Sequence, residues 1–315
     1  MLQTRGPLEE RLEDSLAKFE IGVCLPLWQY GPERATPRWS DIRQVALNAE
    51  QMGIDTLWIP DELLWRGDDH PTQGFWDCVS IAGAVAAVTS TIKIGSWVLS
   101  ALHRNPGIIA KTAETLDEIS GGRFVFGLGA GHAGDQAHTF GLPEDVVSAR
   151  FEEALQVIVP LMRGGTVNFE GKYHAAHDLI QQPVGPRPNS IPLLIGAQKP
   201  KGMRYAALNG DIWSTYAGAD STVEVLGPRV PEFERVCSEV GRDPTTIGRA
   251  AGLSLSPLEP RTVPGGDICG SAQEIADALR TFRDAGYTQV DLMIEPGTVA
   301  AFDALAPVVE LLAAD

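Results

Sequence analysis

The sequence predicts an α/β fold, a (β/α)8 TIM barrel with an insertion between its fourth helix and fifth strand. Three observations carry that prediction. Eight apolar, β-rich segments of strand length alternate with segments of helical period along the chain. The connections are short except across 166–191, where the rhythm breaks. The one glycine-rich turn after a strand follows the fourth strand, whereas an open doubly wound sheet places it after the first. A closed barrel of this kind gathers its sites at the C-terminal ends of its strands.

The elements follow in order. Leu8, Leu12, Leu16 and Phe19 recur at helical spacing, so residues 1–18 read as a helical extension and 19–315 as a single barrel domain. Strands are expected at 21–27, 56–59, 92–99, 124–128, 192–196, 212–216, 250–255 and 289–294. Ser40 is placed to cap a helix with Ile42, Val45, Ala49 and Met52 on one face, ended by Gly53. Further helices are expected over 78–89, 106–120, 145–162, 203–209, 230–240 and 271–285. A last one carries Phe302, Leu305, Val309 and Leu312. Pro106 suits a first helical position and Gly121–Gly122 a C-cap. Within the insertion, 166–174 reads as a hairpin and 183–192 as a proline-rich return. The loop 256–270, with Arg261, is a lid candidate.

Composition narrows the function. With 44% hydrophobic and 21% charged residues the 315-residue chain has the makings of a globular core. A net charge of −16 argues against nucleic acid and anionic membrane surfaces as partners. No apolar run approaches the roughly 20 residues of a membrane span, and the acidic stretch 8–14 is unlike a signal peptide. Cys24, Cys78, Cys237 and Cys269 are far apart with no C-x-x-C spacing. They read as buried free thiols in a reducing cytoplasm. His70, His174 and His177 have no metal-like spacing, and no metal is expected.

The stretch 120–132 organises the chain: a helix stop, a strand buried on both faces, then Gly129-Ala130-Gly131-His132. Gly129 and Gly131 are expected to admit backbone close to a flat or anionic ligand. Gly129 to Gly134 matches G-x-G-x-x-G, but a dinucleotide site needs a helix starting at that turn. Gly141 and Pro143 delay the helix, and Glu152 and Glu153 fall inside it rather than at a strand end. After the fifth strand, Lys199, Lys201 and Arg204 crowd a helix start, a pattern suited to phosphate. Trp28, Tyr30 and Trp65 flank strand ends and are candidates to line a substrate pocket.

Taken together, 53–61, 94–98, Arg104-Asn105-Pro106, 115–123, 126–131, Phe140-Gly141 and 150–155 resemble the bacterial luciferase-like flavin-dependent oxidoreductases. The resemblance covers most of the chain and is strongest over 53–162. It implies an oxidoreductase binding reduced FMN or coenzyme F420 at the C-terminal strand ends and acting on a small organic substrate. The chemistry it implies is FMNH2/O2 monooxygenation or F420-dependent hydride transfer. A separate flavin or F420 reductase and a homodimer are the partners it implies. It assigns the cofactor to Asp61, Ser96, Trp97, Val98, Ala130, Gly131, His132, Gly196, Ala197, Gln198, Lys199 and Lys201, with a cis peptide at Trp97–Val98. Glu62 and His132 become the catalytic candidates, with Trp28 and Trp65 toward the substrate. Relatives often carry histidine where Glu62 stands, and some F420-dependent relatives carry an acid where His132 stands. A flavin-binding barrel without turnover, and an unrelated barrel enzyme acting on a phosphorylated substrate, are the alternatives.

Overall fold

The computed structural model describes residues 18–29, 35–66, 72–218, 220, 222–258 and 267–314. Tyr30, His70, Arg261 and all of the N-terminal extension but Lys18 lie outside them. The fold is the expected (β/α)8 barrel, with strands β1 (Glu20–Cys24), β2 (Thr56–Ile59), β3 (Lys93–Ser96), β4 (Phe124–Gly129), β5 (Leu193–Gly196), β6 (Ile212–Tyr216), β7 (Gly248–Ser256) and β8 (Gln289–Ile294). Between and after them run α1 (Trp39–Met52), α2 (Cys78–Val88), α3 (Pro106–Ser120), α4 (Val147–Met162), α5 (Pro200–Asn209), α6 (Arg229–Val240), α7 (Ala272–Asp284) and α8 (Ala306–Ala313). The insertion after α4 is an antiparallel hairpin of Val167–Glu170 with Ala175–Leu179.

The chain forms two compact units. One takes the chain up to Pro26, Gln44–Leu57 and everything from Leu194 on. Its parallel strands run in register: Gly196 lies opposite Ser214, Tyr216 opposite Gly252, Leu253 opposite Leu292, and Val23 opposite Leu292. Apolar side chains between sheet and helices bind it together; buried Trp213 stacks on Phe233 of α6 at 4.3 Å.

The other unit takes Leu27–Arg43 and Trp58–Leu193. Here β3 and β4 pair in parallel, Ile94 opposite Phe124. All six residues of β4 are buried, as its unbroken apolar run requires. The helix before it is delimited as expected: Asn105 accepts hydrogen bonds from the Gly107 and Ile108 amides, Pro106 opens the helix, and Gly121 closes it at φ 66°. Arg123 then ties the turn down, donating to the carbonyls of Ala86, Thr89, Ile92 and Ser120.

The structure departs from the sequence reading in four places. The expected strand 92–99 is two strands, Lys93–Ser96 and Leu99–Ser100, separated by a cis Trp97–Val98 peptide at the position the resemblance implied. A five-residue helix, Asp135–Thr139, begins at once after the glycine turn; one turn is too short to show a period. The last helix is divided into Val299–Asp303 and Ala306–Ala313, with Pro307 in the first turn of the second. α1 starts at Trp39, so Ser40 lies inside its first turn instead of capping it. The four cysteines are free, with Cys24, Cys78 and Cys237 buried and Cys269 partly exposed. Among the described residues no helix is long and apolar enough to cross a membrane, and no group of side chains could hold a metal ion.

Candidate active site

The glycines of the fourth strand have a cause within the fold. Gly127 and Gly129 alternate along β4 and so share one face, and Gly131 lies two residues past its end. A Cβ on Gly127 would stand 1.8 Å from the Ser96 carbonyl oxygen, one on Gly129 2.5 Å from Val98 Cγ2, and one on Gly131 2.2 Å from Ser100 Oγ. The bare face is filled by the segment that carries the cis peptide. Ser96 completes the join: its hydroxyl donates to the Gly127 carbonyl at 2.8 Å and accepts from the Gly127 amide at 3.1 Å. Gly131 is thus kept small by Ser100 on that face. Ser96, 1% exposed and doubly bonded, is likewise a structural joint. Trp97 and Val98, just beyond it, are half-buried.

Asp61 also proves to be a latch. Its carboxylate, 4% exposed, accepts both guanidinium nitrogens of Arg104 and the Ser100 amide at 2.9 Å, and lies 3.3 Å from His103 Nδ1. Burial pushes the Asp61 carboxyl up, but the bonds from His103, Arg104 and Ser100 outweigh it and hold the group below the usual range. The anchored carboxylate fixes the 100–104 loop.

Its neighbour Glu62 points elsewhere. Glu62 Oε1 lies 3.5 Å from His132 Nδ1, and Oε2 accepts from Gln136 Nε2 at 2.6 Å. Gln136 in turn accepts from the Leu63 amide at 3.1 Å. The carboxylate is therefore oriented from the short helix Asp135–Thr139, an element absent from the sequence reading, and Gln136 is the functional residue that reading missed. The Glu62 carboxylate holds the His132 imidazole above its ordinary pKa. Glu62, His132 and Gln136 line a cavity of about 310 Å³ together with Leu64, Trp65 and Asp135. Trp65 contributes an exposed ring packed on Phe75 and Trp28, at 4.8 and 6.2 Å. Trp28 is itself only 4% exposed. It supports Trp65 from behind, which corrects its reading as a substrate contact. Two further histidines behave differently: His138 pairs with Glu144 at the surface, and His103 belongs to the Asp61 latch.

The other unit holds the basic turn. The Ala197 amide donates to Ser214 and the Ala197 carbonyl accepts from Trp213 Nε1, both at 2.8 Å, so the turn is clamped to β6. α5 begins at Pro200 with no side-chain cap, and Gln198, Lys199 and Lys201 are exposed around its first amides. Arg229, which sequence order places thirty residues on, reaches back to the Gln198 carbonyl at 3.3 Å and adds a further cation. In the same unit Glu295, just past β8, is pushed up to about 7 by burial and by Asp267. No motif marked it, because its shift comes from burial and from Asp267, which only the fold brings near.

Residues 19–263 match the model of the luciferase-like monooxygenase family. The chain belongs to that family. A luciferase-like relative, F420-dependent glucose-6-phosphate dehydrogenase of Amycolatopsis mediterranei, is 31% identical over 76% of this chain and 69% of its own length. A 5,10-methylenetetrahydromethanopterin reductase of Archaeoglobus fulgidus is 34% identical over 52% of this chain and 45% of its own. The pyrimidine monooxygenase RutA of Methylorubrum extorquens is 28% identical over 71% and 64% respectively. The chain thus aligns with about half to two thirds of these relatives' lengths. Among solved structures, an F420-dependent secondary alcohol dehydrogenase with an F420–acetone adduct superposes with a TM-score of 0.76 over 94% of this chain and 99% of its own, at 23% identity. The monooxygenase RslO1 of Streptomyces bottropensis gives the same TM-score over 94% and 98%, at 17% identity. At these identities the two structures show the fold: a luciferase-like (β/α)8 barrel.

Proposed function

We propose that the chain is an F420-dependent oxidoreductase that moves hydride to or from a small alcohol or carbonyl compound, with Glu62 and His132 handling the accompanying proton. The observation that carries this reading is the carboxylate–imidazole pair on the rim of the 310 Å³ cavity, held by Gln136. It reads as the family's pair with its two members exchanged. Bound F420 supplies a carbon that gives or accepts a hydride. When an alcohol is oxidised its hydroxyl must also lose a proton, and the reverse reaction must return one. With Nδ1 toward Glu62, His132 has Nε2 as the atom available to a substrate oxygen. Glu62 favours the charged imidazole, so the pair stores a proton near neutral pH. Trp65 offers the substrate an apolar wall.

The donor set fits such a cofactor within each unit. Trp97, Val98, Ala130 and the backbone of Gly131 are the strand-end groups assigned to the ring. The uncapped start of α5 with Gly196, Ala197, Gln198, Lys199 and Lys201 suits a phosphate. The F420-dependent relatives support this reading; RutA supports the runner-up, monooxygenation with FMNH2. A homodimer in the cytoplasm, fed by a separate reductase, completes the proposal.

An anaerobic titration with F420, FMN and FMNH2, followed by mixing with oxygen, separates the readings. Binding of F420 with substrate-dependent bleaching of its absorbance supports hydride transfer. Tight binding of FMNH2 with a transient oxygen adduct replaces it with monooxygenation, and binding of neither removes the flavin reading altogether.

A further inference from the structure

A second cavity, of about 230 Å³, lies in the unit that holds Glu62 and His132. His103, Arg104, Asn105, Pro143, Arg150 and His174 line it, and among the described residues no carboxylate does. In a chain of net charge −16 such a lining stands apart. Three of its side chains also carry buried nitrogens without a hydrogen-bond partner: His103 Nδ1 and Nε2, Arg150 Nε and His174 Nε2. Leaving a buried polar group unsatisfied costs roughly 1–3 kcal/mol. Three such side chains, from three separate elements on one small cavity, are the trace of a polar ligand.

Each nitrogen is held in place from behind. The His103 side chain is 5% exposed, and its Nδ1 faces the Asp61 carboxylate at 3.3 Å, which leaves Nε2 over. The Arg150 guanidinium lies 4.5 Å above the Tyr173 ring, and its Nη2 is 3.6 Å from exposed Asp145, which leaves Nε over. His174 hydrogen-bonds the Arg150 backbone, and burial holds its imidazole below the ordinary pKa. Its turn is fixed by Glu153, which accepts the Lys172, Tyr173 and His174 amides at 2.8, 2.7 and 3.0 Å. Arg104 is neutralised by Asp61, so Arg150 supplies the charge that is still available.

We propose that this cavity is an oxyanion site, taking the phosphate or carboxylate group of a small ligand. The Arg150 Nε–H donates to one oxygen. The His174 imidazole becomes a donor by taking up a proton as the anion enters, so the ligand binds together with a proton from solvent. The volume falls below the roughly 300–1,000 Å³ of pockets that enclose a whole drug-sized ligand. A free ion, or the terminal group of a longer molecule, is therefore the occupant. The site is independent of the hydride-transfer reading, and its test uses no cofactor.

Inorganic phosphate is titrated into the full-length protein while imidazole 15N resonances are followed by NMR, with calorimetry alongside. The expected result is saturable binding with His174 Nε2 becoming protonated. Arg150→Gln should weaken it roughly ten- to a hundredfold. His174→Gln should weaken it also, with an unchanged circular dichroism spectrum, and gives a second reading if the arginine variant folds poorly. Absence of any saturable change in the wild-type His103 and His174 resonances overturns the proposal, as does equal affinity in both variants. Once a substrate is in hand, competition by phosphate assigns the site to that substrate's own oxyanion. Binding without competition assigns it to a free ion.

Discussion

At the scale of single residues, the informative contact is Glu62 with His132. The carboxylate keeps the imidazole charged to higher pH than usual, so a reduction that takes its proton from His132 is fastest below that raised pKa and falls as pH rises through it. In Glu62→Gln the charge is lost, and the falling limb of the kcat/KM profile should move to lower pH. His132→Gln should cost about 10²- to 10⁴-fold in rate and flatten that limb, the range expected of a general acid. A limb that stays in place in both variants assigns the proton to another group. Gly131 makes a separate case, because its φ is +84° and its missing Cβ faces Ser100 Oγ. Gly131→Ala suffers both strain and overlap, whereas Gly121→Ala, at φ +66° with nothing within 4 Å, suffers strain alone. The first should lower stability by about 2–3 kcal/mol and the second by about 1 kcal/mol. Thermal or urea unfolding of the pair measures the difference; equal losses would show that Ser100 simply moves aside.

Among the elements, the inserted hairpin depends on one carboxylate. Glu153 on α4 collects three consecutive amides of the turn, so Glu153→Ala leaves them to solvent. Amide exchange at 172–174 should accelerate at least tenfold, while exchange along β4 stays as it was. Uniform acceleration would mean that Glu153 supports the whole unit. The sequence reading sets this glutamate aside as the acidic partner of a dinucleotide motif; its actual partners lie across a hairpin that linear spacing does not reveal. The short helix Asp135–Thr139 was illegible for the same reason. Its five residues have no period, and the value of Gln136 arises only because the turn brings it to Glu62. The strands β2, β6 and β8 were legible and fall on their expected bounds. Their apolar runs are bounded by glycine, proline and caps, and those local signals suffice. The glycines of β4 were legible as places where a neighbour comes close. Their alternation announces it, and only the fold tells that the neighbour is Ser96 to Ser100.

For the molecule as a whole, the eightfold alternation was legible because every repeat obeys the same local rule, strand run then helical period. The pairing of particular side chains was not, since Asp61 with Arg104 and Glu62 with His132 are set by loops of unrelated length. Net charge is a property of this scale, and it carries the last prediction. At −16 the chain repels an anionic cofactor at distances beyond the contacts of Lys199 and Lys201. Raising ionic strength from about 10 mM to 0.15 M shortens the Debye length from roughly 30 to 8 Å. The repulsion acts over the longer distance and is screened first, whereas contacts at the start of α5 are made within a few ångströms and are screened less. Association of F420 should therefore quicken several-fold over that range, opposite to the slowing seen when net charges are of unlike sign. Stopped-flow fluorescence at a series of salt concentrations reads the rate directly. A rate that instead falls steadily with salt would show that the basic turn, and not the acidic surface, governs the approach.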